Sequence, residues 1–242
     1  MHRGSFKILR LLGVDVLVHW TWFLLGALVV SQLTMFSTLG WRVLVFVSIF
    51  VIAALHEFGH VFACRSVRGE ASTILLSPMG GAAVMNPPDR PGAVFWSVAA
   101  GPLVNVLLLP VTAVAYLLVR GELDWPAVDN DVQLYWFSVL AVNAGLLVCN
   151  LVPIFPLDGG QLLMSAIWFV VGRARALRIV VWTGPCAAAG LAVYAVVTAQ
   201  PILLLISAFF ALHAYKGYCV AKAMGRMDSQ KMDEHLDPHG AD

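Results

Sequence analysis

Residues 43–64 read VLVFVSIFVIAALHEFGHVFAC, an apolar run whose only acidic or basic side chains are His56, Glu57 and His60. A run of this length and composition predicts a membrane-spanning helix. Each charged group at the centre of such a span costs on the order of 2.5–3.5 kcal/mol. Three titratable residues there need a chemical reason. On a helix His56 and His60, four residues apart, share one face about one turn apart and can grip one metal ion. Zinc accepts neutral imidazole nitrogens at about 2.0–2.1 Å and prefers four ligands. Glu57 falls beside such an ion rather than on it, which suits a base for metal-activated water.

The rest of the chain agrees with a lipid setting. Of 242 residues 60% are hydrophobic and only 12% charged, against about 25% charged in a soluble domain. Apolar runs long enough to span occur at roughly 16–36, 42–64, 93–119, 132–157, 177–199 and 201–219, which predicts about six transmembrane helices. With the N-terminus in the cytoplasm, 13 of the 15 Lys and Arg lie inside and only Arg42 and Arg120 outside. That asymmetry satisfies the positive-inside rule and places both termini in the cytoplasm of a multi-pass cell-membrane protein. A net charge of +1 offers no case for nucleic acid.

The N-terminus has the basic and then apolar character of a signal peptide. No A-x-A-like cleavage site follows, and His19, Trp20 and Trp22 read as an interfacial anchor, so a retained first span is expected. The four cysteines have no CxxC spacing and read as small buried residues. Residues 1–222 form a single transmembrane domain in this reading. Residues 223–242 are a short cytoplasmic tail, polar and disordered, in which His235 and His239 offer at most an adventitious metal site.

Of the 14 Asp and Glu, only Glu57 and Asp158 lie within apolar segments. An acid at membrane depth is by default a functional candidate. A catalytic zinc needs a third protein ligand and an open position. Cys64 is eight residues beyond His56, roughly 12 Å along the helix, and cannot reach the same ion. His19 and His213 sit near span ends and read as interfacial residues. Asp158 matches the depth of the histidines, since spans two and four run in the same direction. Around it NLVPIFPLDGG (150–160) puts Pro153 and Pro156 into an apolar helix, which must break there. Broken helix at this depth is tolerated where it is buried in protein or lines a wet cavity. Asn150 either hydrogen-bonds a substrate carbonyl or oxyanion, or caps the freed backbone; the sequence leaves both open.

With these residues the chain resembles the site-2 protease family of intramembrane zinc metalloproteases. HEFGH matches the family's HExxH and NLVPIFPLDGG its NxxPxxPLDG motif, while GPLVN (101–105) resembles a signature in the third span. ILLSPMGGAAVM (74–85) looks like the family's membrane-associated β segment between spans two and three. The resemblance implies an all-α polytopic fold with that small β segment, one zinc per chain held by His56, His60 and Asp158, and Glu57 as the catalytic base. Asn105, with Asn150, is a candidate for transition-state support. Gly80 and Gly81 would let a substrate backbone approach and pair as an added strand.

The compact prokaryotic members, without PDZ or CBS domains, are the nearest pattern. The implied activity is endoproteolysis of transmembrane segments near the cytoplasmic face, as in regulated intramembrane proteolysis. Implied partners are the lipid bilayer, an upstream site-1 protease, and substrates such as anti-sigma factors or membrane-tethered transcription factors. The competing classes are a divalent-metal transporter or sensor, which would spread its ligands across the bilayer, and a catalytically inactive scaffold, which would not need an intact HExxH and Asp158.

Overall fold

A computed structural model gives the fold; it describes residues 4–77, 80–121 and 130–200, with residues 203–204, 207–208, 210–212, 215, 218–219 and 222 beyond them. The chain divides into two compact units, Met1–Asn150 and Leu151–Asp242.

The first unit begins with a hairpin, β1 Ser5–Leu11 and β2 Val14–His19. The β2 sequence VDVLVH alternates, and its valines 14, 16 and 18 are buried while the residues between them are half-exposed, the period-two pattern of a one-sided strand. Leu12 and Gly13 have φ of 52° and 75°, as the tight two-residue hairpin turn demands. On the opposite face Asp15 meets Lys7 at 2.6 Å, and that contact holds its carboxyl below the usual carboxylate range. Helix α1, Thr21–Gln32, follows with 12 residues, about 18 Å of rise and too short for a core about 30 Å thick. The expected first span over 16–36 is therefore corrected to a strand followed by a short helix. Hydropathy counted over a long window cannot tell alternating valines from a helical run.

Helix α2, Leu39–Ser66, carries the HEFGH motif and leads into β3 Glu70–Ser77 and β4 Gly80–Asn86. Helices α3 Pro91–Arg120 and α4 Asn130–Leu151 complete the elements of this unit. The strands form one sheet in the order β1-β2-β3-β4. Its outer pairs are antiparallel, and β2 pairs with β3 in parallel, from Asp15↔Thr73 to Val18↔Leu76. Parallel neighbours need a crossover connection, supplied here by α1 and α2. The β segment expected at 74–85 is thus half of a four-stranded sheet, enlarged by strands from the N-terminus.

One face of the sheet, with Val14, Val16, Val18, Ile74 and Leu76, packs on Phe58, Val61 and Cys64 of α2. Positions 56, 59, 60 and 63 lie on another side of that helix, where Gly59 comes so close to Ala100 of α3 that a Cβ would sit 2.5 Å from its carbonyl oxygen. Arg65 locks the end of α2 to the sheet. Its Nε donates to the Ala71 carbonyl at 2.8 Å, and its two terminal nitrogens donate to Leu12 and Gly13 carbonyls at 2.8 and 3.1 Å. The sheet is therefore registered against the motif helix from both ends of the crossover.

In the second unit the helical path stops at Leu151 and resumes at Asp158, the first residue of α5 Asp158–Val171. Pro153 and Pro156 fall in the gap, as their missing donors require. The gap has its own bonds: the Phe155 amide donates to Thr183 Oγ1 at 3.0 Å, and Gln161 Nε2 donates to the Pro156 carbonyl at 3.1 Å. A Cβ on Gly159 would lie 2.4 Å from the Leu151 and Val152 carbonyl oxygens, so the chain can fold back here only over glycine. Helices α6 Arg173–Val180 and α7 Thr183–Val197 follow.

Among the described residues, four helical stretches are long and apolar enough to cross a membrane: Leu39–Ser66, Pro91–Arg120, Asn130–Leu151 and Arg173–Val197. Large apolar side chains project outward from them, including Val43, Val47, Val51 and Phe62 on α2, as a lipid-facing surface requires. The expected sixth span, 201–219, falls only partly on described residues. The tail at 223–242, with His235 and His239, lies outside them.

Candidate metal centre

The last turns of α2 bring His56, Glu57 and His60 together, and a ligand atom from each lies within 4.8 Å of the others. All three are buried, at 3%, 6% and 4% exposure, which in an apolar helix demands specific partners. The Nδ1 of His60 donates to the Ser97 backbone carbonyl at 2.9 Å, and a carbonyl can only accept. His56 Nδ1 donates to Asn105 Oδ1 at 2.5 Å. Both rings are therefore protonated on Nδ1, and in the neutral form both present an Nε2 lone pair. Those two Nε2 atoms stand 3.1 Å apart.

Two acceptor nitrogens facing each other repel, and a cation placed against both removes the repulsion. This is the arrangement of a metal-binding histidine pair, in which the second ring nitrogen is held by an outer partner that fixes the tautomer. Gly101 leaves the room: a Cβ there would lie 2.2 Å from His60 Nε2 and 2.8 Å from His56 Nε2. Neutral imidazole donors with a carboxylate alongside suit zinc. The chemistry of the donor set fits the ion.

Glu57 is held differently. The backbone N–H of Ala83 donates to Glu57 Oε2 at 2.9 Å. Ala83 is paired with Ile74 in the antiparallel ladder, so an N–H given to Glu57 marks this as one of the pairs that exchange no hydrogen bond. Its N–H points away from β3, toward the side of β4 that no described strand covers. Gly81, two residues back and opposite Leu76, presents its backbone in the same direction. The acid thus sits at the open edge of the sheet, within the first unit.

The other candidates distribute as follows. Asn105 is fully buried, and its amide nitrogen donates to Asn143 Oδ1 at 2.8 Å, so both polar ends of its side chain are engaged within the protein, behind His56. Gly80 pairs with Ser77 at the start of β4. Asn150 is half-buried in the last turn of α4. Asp158 is half-buried at the first position of α5, where the helix dipole favours a carboxylate. His19 is bonded to Thr21 Oγ1 at 2.6 Å and belongs to no metal cluster among the described residues. His213 lies outside the described residues.

Three residues at the site were not singled out from sequence. Ser97 acts through its backbone carbonyl, which no residue-type pattern can reveal. Gly101 lay inside the quoted GPLVN, where it reads as packing. Asn143 had a usable signal, the one amide in the apolar run 134–149.

The model for peptidase family M50 matches residues 122–191, a stretch that contains NLVPIFPLDGG but not HEFGH. A zinc metalloprotease of Methanocaldococcus jannaschii is 28% identical over 205 residues, covering 85% of this chain and 58% of the relative. The chain is thus similar to peptidase family M50 over that stretch and to a zinc metalloprotease over most of its own length. A Synechocystis protein provisionally named a zinc metalloprotease is 26% identical over 182 residues, 70% of this chain and 46% of its own length. The chain spans about half the length of the curated relatives it matches. Its fold is that of a site-2 protease: the solved structure of the site-2 protease from M. jannaschii superposes with a TM-score of 0.62 at 22% identity, covering 88% of this chain and 94% of that one.

Proposed function

We propose that this chain is a membrane-embedded zinc endopeptidase of the M50 type that cuts transmembrane segments of other proteins near the cytoplasmic face. One observation carries the reading: two buried imidazoles with fixed Nδ1 protons turn their Nε2 lone pairs to one point, beside a carboxylate tied to an open strand edge.

His56 and His60 would hold one zinc through Nε2, with Asp158, the acid of the LDG motif, as the proposed third ligand. When bound, zinc supplies Lewis acidity toward a peptide carbonyl and toward water. Glu57 takes the proton from the attacking water as the C–O bond forms. It returns that proton to the amine nitrogen as the C–N bond breaks. A substrate helix must first unwind, because its own hydrogen bonds shield each carbonyl. The backbone of Gly81, on the same open edge as the Ala83 N–H that holds Glu57, offers the freed segment a strand to pair with, and Gly80 and Gly81 keep that edge clear of side chains. Asn150 either supports the developing oxyanion or caps the break after α4.

Anti-sigma factors and membrane-tethered transcription factors, already trimmed by an upstream protease, are the substrate class in this reading. The protein sits in the cell membrane with both termini in the cytoplasm. Zinc content and cleavage of a model transmembrane peptide, each measured with and without a chelator, test the proposal. Cleavage that persists after complete metal removal refutes it, and so does a purified protein that binds no zinc.

A further inference from the structure

We infer that Asn143 on α4 is a positioning residue that sets the proton on His56 through Asn105. The inference rests on reading His56 as a metal ligand, and it follows from a chain of donors and acceptors anchored on a backbone group.

Asn143 is fully buried, in the middle of an apolar helix. Its Nδ2 lies 3.1 Å from the backbone carbonyl of Asn105. A carbonyl has no proton to give, so the amide nitrogen of Asn143 must be the end that faces it. That fixes Oδ1 of Asn143 as the end facing the Asn105 side chain, at 2.8 Å from its Nδ2. Asn105 must then present its own Oδ1 to His56 Nδ1, and the ring must donate. With Nδ1 protonated, Nε2 is left as a lone pair aimed at His60 Nε2. Each step admits one orientation only.

Without Asn143 the Asn105 amide can turn over. Its NH₂ would then face His56, the ring would shift its proton to Nε2, and the nitrogen needed for zinc would be blocked. His60 needs no such relay, because the Ser97 carbonyl fixes its tautomer directly. The two ligands are thus held by unequal means, one by backbone and one through two side chains from two helices. Outer partners of metal-binding histidines typically contribute about 10–100-fold to metal affinity.

Two kinds of variant separate this role from ordinary packing. Asn143→Leu keeps the approximate shape and removes both polar ends. Asn143→Asp in its protonated form offers one acceptor and one donor and can replace both bonds. The expected result is zinc affinity about 10–100-fold weaker in Asn143→Leu and within a few-fold of wild type in Asn143→Asp. Thr112→Val, which removes a buried hydroxyl elsewhere on α3, is expected to leave zinc affinity unchanged. Nitrogen-15 NMR of the metal-free wild type gives a reading independent of any variant, with His56 identified by its loss in His56→Gln. His56 must be protonated on Nδ1, and Asn143→Leu must shift it toward Nε2. An Nε2-protonated His56 in the wild type overturns the inference, as does equal zinc affinity in Asn143→Leu and wild type, or equal loss in the Leu and Asp variants. A wild-type protein that bound no zinc would instead refute the proposed function, while the tautomer would still be read.

Discussion

The Ala83 amide donates to Glu57 Oε2 at 2.9 Å, and this bond joins the open edge of the sheet to the motif helix. The proposed base and the proposed docking strand are therefore one mechanical unit, registered further by the Arg65 bonds to both hairpin and β3. A strand added at that edge would lie beside the carboxylate.

Replacing Ala83 by proline removes the N–H that holds Glu57 while leaving the β3 ladder intact, since proline is tolerated on an edge. A hydrogen bond to a charged group is worth about 1.5–3 kcal/mol, so cleavage is expected to slow roughly ten- to a hundredfold with zinc content unchanged. Ala83→Ser, which keeps the N–H, is the control and should cleave near the wild-type rate. Equal rates for the proline variant and wild type would disconnect the edge from catalysis.

Glu57→Gln keeps an oxygen to accept from Ala83 but cannot take a proton. Cleavage is expected to fall roughly 10²–10⁴-fold, while zinc, held by His56 and His60, stays bound. Metal analysis of the purified variant alongside a peptide assay checks both halves. If zinc is lost as well, Glu57 belongs among the ligands rather than beside them.

Gly101→Ala places a methyl group where His60 Nε2 lies 2.2 Å and His56 Nε2 2.8 Å away. Because α3 backbone cannot retreat cheaply from a close-packed helix pair, the rings must move. Zinc affinity is expected to drop by tenfold or more, measurable by competition with a chromophoric chelator, with helical content unchanged. Unaltered affinity would show that the rings have room the structure does not give them.

How far the sequence carried this reading depended on the kind of signal. Three polar residues in an apolar helix stand out at once, because burying them without purpose is costly, and so the His56, Glu57 and His60 cluster was legible. Pro153 and Pro156 likewise forced a break that the chain shows between Leu151 and Asp158. The N-terminal strands were missed because Val14, Val16 and Val18 contribute to hydropathy regardless of their period. The Asn105–Asn143 pair was out of reach for another reason: which residues meet across α3 and α4 is decided by packing, and no spacing within one helix encodes it.

Asp158→Ala tests the third ligand. Two imidazoles alone make a poor zinc site, so the variant should retain less metal than wild type after dialysis and lose activity in parallel. His19→Ala, whose ring is occupied by Thr21, is expected to keep its zinc, and His213→Ala likewise. Full metal retention in Asp158→Ala would remove it from the ligand set.

The position of the cut follows from depth. His56 lies 15 residues after Trp41, which the proposed topology puts at the outer interface; at 1.5 Å per residue that is roughly 22 Å into a core about 30 Å thick. Peptide bonds should therefore be cut in the cytoplasmic half of a substrate span. The substrate must also unwind locally, so helix-weakening residues such as Gly, Pro or Asn near the scissile bond should speed cleavage, and their replacement by Leu should slow it. Mass spectrometry of the fragments from a model transmembrane substrate, with and without such replacements, reads both effects. Cuts clustered in the outer half would reverse the orientation assigned to α2, and cleavage indifferent to the Leu replacements would remove unwinding as the barrier.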